Sequence, residues 1–498
     1  MRQAVLLYYF GPGMWDMRQL AGEARSSQAG VTSGQPTVLL ISAFDLGHQP
    51  FGLASPAAWL AAAGARVKCL DLAVRMLDED AVRAADVVAF YLPMHTATRI
   101  LCGVVPRVKE LNPTAHLCAY GLYAPVNAEL LRQIGVDSII GGEFEQPLVS
   151  LVTELGSREV DPRPVISLGR QDFLLPDRGL LPALSEYAYL TMPDGSRRTV
   201  GYTEATRGCK HLCRHCPVVP VYGGRFRVVQ RDIVLADIRQ QVAAGAQHIT
   251  FGDPDFFNGP THALTLIRAL HEEFPQLTYD VVIKVEHLVK QRELLPVLRD
   301  TGCILLTSAV ESVDERILDY FDKRHTRDDF DTAVRSLAEL GIALNPTFVA
   351  FTPWTTLENY LYFLTEIDEL ALVPNVAPVQ YGIRLLIPEG SKLLELPEVA
   401  GMVGPFDPGS LVYPWQHADP AVDALQREVL GLAARAVAEH MPRERFFGEL
   451  WEVATRAAGQ PGRPRPGAKR PPGPPVPQLS EPWYCCAEPL ESQLTPQI

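Results

Sequence analysis

The sequence predicts an α/β protein built from two successive sheets. A doubly wound parallel sheet comes first, then a partial (β/α)6 or TIM-like barrel, a helical C-terminal region and a disordered Pro/Gly-rich tail. Three observations carry this. Short apolar runs alternate with helical segments across residues 36–157, a second such alternation fills residues 199–390, and the stretches beside them hold too much proline, glycine and charge to bury a core. Strands separated by helices of this length require parallel pairing with right-handed crossovers.

Residues 1–35 form an N-terminal extension whose "AVLLYYFGPG" is short and broken by glycine and proline, a packing segment rather than a signal peptide. In residues 36–157, "TVLLISA", "RVKCLDL", "DVVAFYLP", "HLCAYG" and "VDSIIGG" read as strands. Helices lie between them, among them "SPAAWLAAAG", ended by glycine, and a stretch from about Thr96 to Glu110. The ligand of such a domain sits at the carboxyl ends of its strands. Residues 158–198 read as a connector. In residues 199–390 the strand candidates are "GYTEA", "HITFG", "YDVVIKV", "CILLTSA", "NPTFVAF" and "VQYGIRLL". Reactive groups of a barrel belong at its strand C-termini. Residues 391–456 are helical, residues 457–480 a flexible linker, and residues 481–498 a tail carrying Cys485 and Cys486. The linker's composition favours extended, mobile, solvated chain, the alternative being weak attachment of its basic residues to an acidic surface, and roughly 20 residues at ~3.1 Å each would span ~60 Å.

A chain of 498 residues can bury two or three cores. Its net charge of −13 opposes a general affinity for nucleic acid or anionic membranes. No apolar run approaches the ~20 residues of a membrane span, so the expected compartment is the cytoplasm. Of nine cysteines, Cys69, Cys102, Cys118 and Cys303 stand alone in apolar surroundings, as buried small hydrophobes do. The other five form two clusters, and the chemistry is expected there.

The first cluster lies in "TEATRGCKHLCRHCPVVP", residues 203–220. Cys209, Cys213 and Cys216 make C-x₃-C-x₂-C directly after the first barrel strand. Three soft thiolates on one short loop suit three irons of a [4Fe–4S] cluster and leave the fourth iron open. The competing reading is a Cys₃His zinc site using His211 or His215, in a non-catalytic protein that senses metal or redox state. Zinc knuckles usually come as two separated ligand pairs, and no second pair lies nearby.

The motif, its position and the βα units behind it resemble the radical S-adenosylmethionine (radical SAM) superfamily over roughly residues 195–390. "ITFGDPDFFNG" is similar to the segment whose backbone, here around Gly252, Asp253 and Pro254, holds the methionine amino group. "LLTSAVESVDERIL" resembles the segment that brings Glu311 and Ser312 near the cofactor's ribose and carboxylate. "NPTFVAFTPWTTLEN" resembles the fifth-strand segment, with Ala350 or Phe351 where glycine often stands, and His215 takes a commonly aromatic place. The resemblance implies a [4Fe–4S] cluster and SAM as cofactors, with SAM chelating the open iron and one electron breaking a C–S bond. The usual product that the resemblance implies is a 5′-deoxyadenosyl radical, which abstracts hydrogen from a substrate. It further implies a small-molecule or metalloid substrate and an electron donor such as flavodoxin or ferredoxin.

A Rossmann-like domain ahead of such a barrel resembles the cobalamin-binding subclass, and "FGLASPAAWLAAAGARVKCLDL" is similar to its first βα unit. The cobalt-ligating D-x-H-x-x-G pattern is absent, because "FDLGHQPFG" sets Asp45 and His48 three apart with Gly52 four further on. Some members of that subclass bind cobalamin without a histidine ligand, so cobalamin stays open as a third cofactor. "CCAEP" near the C-terminus resembles radical SAM proteins with a CUAEP or CCAEP tail, whose first tail cysteine can be selenocysteine. That resemblance implies a working role for Cys485 and Cys486: binding a soft metal or metalloid, donating hydrogen or electrons, or carrying substrate. The blander reading is an inert tail. The reaction alternatives are methyl transfer through cobalamin and transfer of a SAM-derived group to a metalloid.

Overall fold

The structure is a computed structural model that describes residues 35–155 and 163–480. The N-terminal extension and the tail with Cys485 and Cys486 lie outside the described residues. The first sheet holds β1 (Thr37–Ser42), β2 (Arg66–Asp71), β3 (Val87–Tyr91), β4 (His116–Tyr120), β5 (Ser138–Gly142) and β6 (Val165–Ser167), all parallel, in the order β2-β1-β3-β4-β5-β6. Helices cover both faces. Leu39 and Ile41 of β1 pack with Ile100 and Val104 of the helix His95–Leu111, and Val38 and Leu40 with Leu53 and Ala57 of the helix Phe51–Ala62. Burial on both sides explains why these strands read as continuous apolar runs rather than alternating ones.

The stretch expected as a connector does more than connect. It contributes β6 to the first sheet and β7 (Tyr189–Thr191) to the second. The second sheet continues with β8 (Arg197–Thr203), and the hairpin β9 (Thr206–Gly208) and β10 (Phe226–Val228) stands beside it. Then follow β11 (His248–Phe251), β12 (Thr278–Val282), β13 (Cys303–Glu311), β14 (Ala343–Phe348) and the short β15 (Gln478–Leu479). The order is β14-β13-β12-β11-β8-β7-β15, parallel from β8 to β14 and antiparallel at the β7 and β15 edge, so the sheet is a curled half-barrel.

The sixth expected strand, "VQYGIRLL", does not form. Pro378 starts a 3₁₀ turn, Pro378–Tyr381, and only one parallel bridge, Phe351 to Arg384, remains. Proline removes the backbone donor a ladder needs at that point. The gap is packed instead by Tyr381 against Phe446 and Phe447 of the helix Arg443–Ala457, at ring distances of 5.6 and 5.8 Å.

The segment expected as a mobile linker takes a defined course through residue 480. Cations between its prolines meet acids on the barrel helices: Arg465 with Asp368 at 2.5 Å, Lys469 with Glu369 at 2.7 Å, and Arg470 with Asp331. Trp451 Nε1 donates to the Arg463 carbonyl at 2.7 Å. The strap ends in β15, which pairs Gln478 with Thr191 and Leu479 with Leu190. Composition alone reads such a stretch as solvated because its partners lie elsewhere in the chain.

Candidate functional site

The cysteine loop leaves the barrel through Gly208. This residue has φ +73°, and a Cβ there would lie 2.3 Å from the Tyr222 ring and 2.6 Å from the Arg225 carbonyl. Only glycine fits that turn. The loop then alternates: Lys210 and Leu212 face outward, while Cys209, His211, Cys213 and His215 are buried. Burial pushes the Cys209 thiol up to about 11. Such a thiol stays protonated at neutral pH unless a metal displaces the proton. Three cysteines converging in a buried pocket therefore fit a thiolate-bound cluster.

Charged side chains surround this loop. Glu311, at the end of β13, accepts from His215 Nε2 at 3.1 Å and from Lys323 Nζ at 3.3 Å. Burial raises its carboxyl, but Lys323 and His215 outweigh that and hold it down at about 2. Glu311 is also a non-glycine residue at φ +67°, a backbone strain of the kind found at functional sites. His215 lies against Phe321 with ring centroids 4.4 Å apart. Lys284, at the N-terminus of the helix Val285–Lys290, places Nζ 3.6 Å from Cys213 Sγ.

Of the residues expected around SAM, Gly252, Asp253, Pro254 and Glu311 line the same cavity as the three cysteines. Ser312 is not part of that wall; its hydroxyl accepts from the Asp314 backbone N–H at 3.0 Å. The Asp253 side chain is committed inward, accepting from Ala205 N at 3.0 Å and from the Thr206 hydroxyl, and burial raises its carboxyl to about 7. What Asp253 and Pro254 can offer a ligand is backbone. Gly252 sits so close to Tyr202 that a Cβ would meet its hydroxyl at 1.9 Å.

The cavity, about 1030 Å³, runs between the two sheets. Asp45, His48, Tyr91, Tyr123, Gly142 and Phe144 line it from the carboxyl ends of the first sheet, and the barrel strands close it from the other side. His48 is stacked on Tyr202 at 4.9 Å, and burial lowers its imidazole to about 4, so it is neutral at pH 7. Its Nδ1 is buried with no hydrogen-bond partner among the described residues. An open row of strand ends, aromatic walls and an unpaired neutral imidazole nitrogen fit a large planar metallocofactor. Arg178 and Arg207 fasten the domains around it: Arg178 reaches Asp237, Gln49 and the Tyr202 carbonyl, and Arg207 reaches Glu145 and Glu204.

The zinc alternative has a counterpart. Ligand atoms of Cys209, His211 and Asp255 lie within 4.8 Å of one another. His211 Nε2, however, is 3.3 Å from His287 Nε2, and His287 Nδ1 lies 2.7 Å from Asp255. These groups engage each other, and His215 is turned to Glu311 instead. Sequence reading missed Lys284, Lys323 and Arg207. Only Lys284 left a signal, as the one charged side chain at the end of the apolar run "VVIKV".

Residues 203–355 match the Radical SAM superfamily profile, and the chain carries a radical SAM domain. Members of that superfamily are enzymes that use a [4Fe–4S] cluster and SAM. The hopanoid C-3 methylase of Methylococcus capsulatus is 25% identical over 338 residues, a match covering 64% of this chain and 64% of that protein. The chain thus spans less than two thirds of that curated relative. Among solved structures, the cobalamin-dependent SAM radical enzyme OxsB with aqua-cobalamin bound superposes with TM-score 0.63 at 13% identity, covering 85% of this chain and 72% of OxsB. The radical SAM methyltransferase TsrM of Kitasatospora setae, with cobalamin and a [4Fe–4S] cluster bound, superposes with TM-score 0.59 at 14% identity, covering 86% of this chain and 100% of TsrM. Both comparisons show that the two-sheet architecture of this chain is shared with those two proteins. No helix among the described residues is long and apolar enough to cross a membrane.

Proposed function

We propose that the chain is a cobalamin-dependent radical SAM methyltransferase acting on a small molecule. The observation that carries this is the single cavity joining the strand ends of the first sheet to Cys209, Cys213 and Cys216. When bound, the cluster supplies the electron that cleaves SAM, and cobalamin supplies a methyl carrier. The chain's own part is placement. Cys209, Cys213 and Cys216 hold the cluster, and the backbone of Gly252, Asp253 and Pro254 receives the methionine end of SAM. The paired Glu311 and Lys323 keep charge beside it, and the aromatic walls exclude water. A flavodoxin or ferredoxin as electron donor and a cytoplasmic setting belong to the same reading. Seven free cysteines among the described residues favour a reducing compartment.

Cys485 and Cys486 serve in this reading as an accessory thiol pair. Its support is that Val476–Ser480 line the cavity and Cys485 follows Ser480 by five residues in the sequence. At ~3.5 Å per residue such a stretch reaches ~17 Å. If a Cys485→Ser, Cys486→Ser protein yields the same product at full rate, the accessory role is wrong.

The test of the whole reading is anaerobic reconstitution with iron, sulfide and hydroxocobalamin, desalting, then reduction with SAM present. Expected are one cobalamin retained per chain and 5′-deoxyadenosine formed, the latter lost in Cys213→Ala. Cobalamin that washes away removes methyl transfer from the proposal. Zinc bound in place of iron, with no cleavage of SAM, removes the radical chemistry altogether.

A further inference from the structure

Two buried ammonium groups stand beside the cysteine loop, and they are compensated differently. Lys323, 3% exposed, pairs with Glu311 at 3.3 Å. Lys284, 6% exposed, lies 3.4 Å from Glu286 Oε2, but Glu286 also binds Lys290 through Oε1 at 2.7 Å. Solvent screens Lys290, whose side chain is 66% exposed, so the buried ammonium facing the loop is that of Lys284, whose Nζ lies 3.6 Å from Cys213 Sγ.

We propose that Lys284 is a positioning residue that sets the reduction potential of the cluster, through its hydrogen bond to Cys213 Sγ and its buried charge. The inference rests on the radical SAM reading of Cys209, Cys213 and Cys216. The physical argument is general. One-electron reduction makes a cluster more negative, so a buried donor and positive charge at a ligand sulfur stabilise the reduced form more than the oxidised one. Glu286 sets the strength of the effect, because it decides how much of the lysine charge is cancelled. Lys284 therefore raises the potential and Glu286 lowers it.

The test is an EPR-monitored redox titration of the reconstituted protein without SAM, comparing wild type, Lys284→Met, Lys284→Arg and Glu286→Gln at equal iron content. Lys284→Met is expected to make reduction about tenfold less favourable, a shift of about 59 mV to more negative potential for a one-electron couple. Lys284→Arg keeps the charge and stays near wild type, while Glu286→Gln shifts the opposite way. An unchanged midpoint in Lys284→Met overturns the proposal, and weakened SAM binding by equilibrium dialysis alongside it would make Lys284 a ligand of SAM instead. Should Lys284→Met fail to hold iron, the sign of the Glu286→Gln shift decides. Absence of any cluster signal in wild type would instead sink the radical SAM reading itself.

Discussion

Arg207 Nη2 lies 2.7 Å from Glu145 Oε1, both side chains buried, and this pair joins the barrel to the first sheet two residues ahead of Cys209. Glu145 also accepts from Ser55 at 2.7 Å and Gln171 at 2.8 Å, so its carboxylate is fully engaged. Removing one partner of such a pair strands the other charge away from water. Arg207→Met should cost about 3–5 kcal/mol, read from urea unfolding, and should reduce iron retention by loosening the cysteine loop. Stability within 1 kcal/mol of wild type would show that the junction does not depend on this ion pair.

Glu143 gives the junction a pH dependence. Burial pushes its carboxyl up to about 7 from an ordinary 4.5, with Arg207 opposing and Glu145 adding to the rise. Between those values the folded chain keeps a proton that the unfolded chain releases, so this residue's contribution to stability falls as pH rises from 4.5 to about 7. Glu143→Gln should remove that slope and gain stability relative to wild type above pH 7. Urea midpoints of both proteins at pH 5 and pH 8 check it; parallel profiles would refute it.

The contact between Gly252 and Tyr202 predicts a steric block. A methyl group at residue 252 would sit 1.9 Å from the Tyr202 hydroxyl and displace the ring stacked on His48. Gly252→Ala should cost about 1–3 kcal/mol, the usual range for overpacking, and weaken SAM binding. Thermal unfolding and equilibrium dialysis of SAM measure the two effects.

The strap predicts selective proteolysis. Arg465 holds Asp368, which is 3% exposed and also accepts from the Gly467 N–H at 3.0 Å. Hydrogen bonds to charged groups contribute roughly 1.5–3 kcal/mol. Arg465→Ala should therefore open the strap about tenfold more often and speed tryptic cleavage after Lys469 accordingly. An unchanged rate would mean that β15 pairing alone holds the segment.

Much of this protein could be read along the chain. The apolar runs of β1 to β5 and of β11 to β14 announce parallel strands because burial on both faces is a local pattern. The spacing of Cys209, Cys213 and Cys216 is local too, since one loop supplies all three thiolates. "VQYGIRLL" misled because its apolar pattern is right for a strand, while Pro378 and the packing of Tyr381 decide otherwise. The strap was legible only in part: its cations suggest an acidic surface, but nothing within residues 457–480 says that the partners are Asp368, Glu369 and Asp331.

What the sequence determined by itself is the order of the two sheets and the identity of the cysteine loop, both written in residues close together in the chain. What the tertiary structure decided is the electrostatic setting of that loop. Arg207 finds Glu145 across 62 residues and Lys284 finds Cys213 across 71. Such pairs carry no periodicity or spacing that a reader could match, because charge acts through space and a low dielectric, and only folding brings these groups within reach.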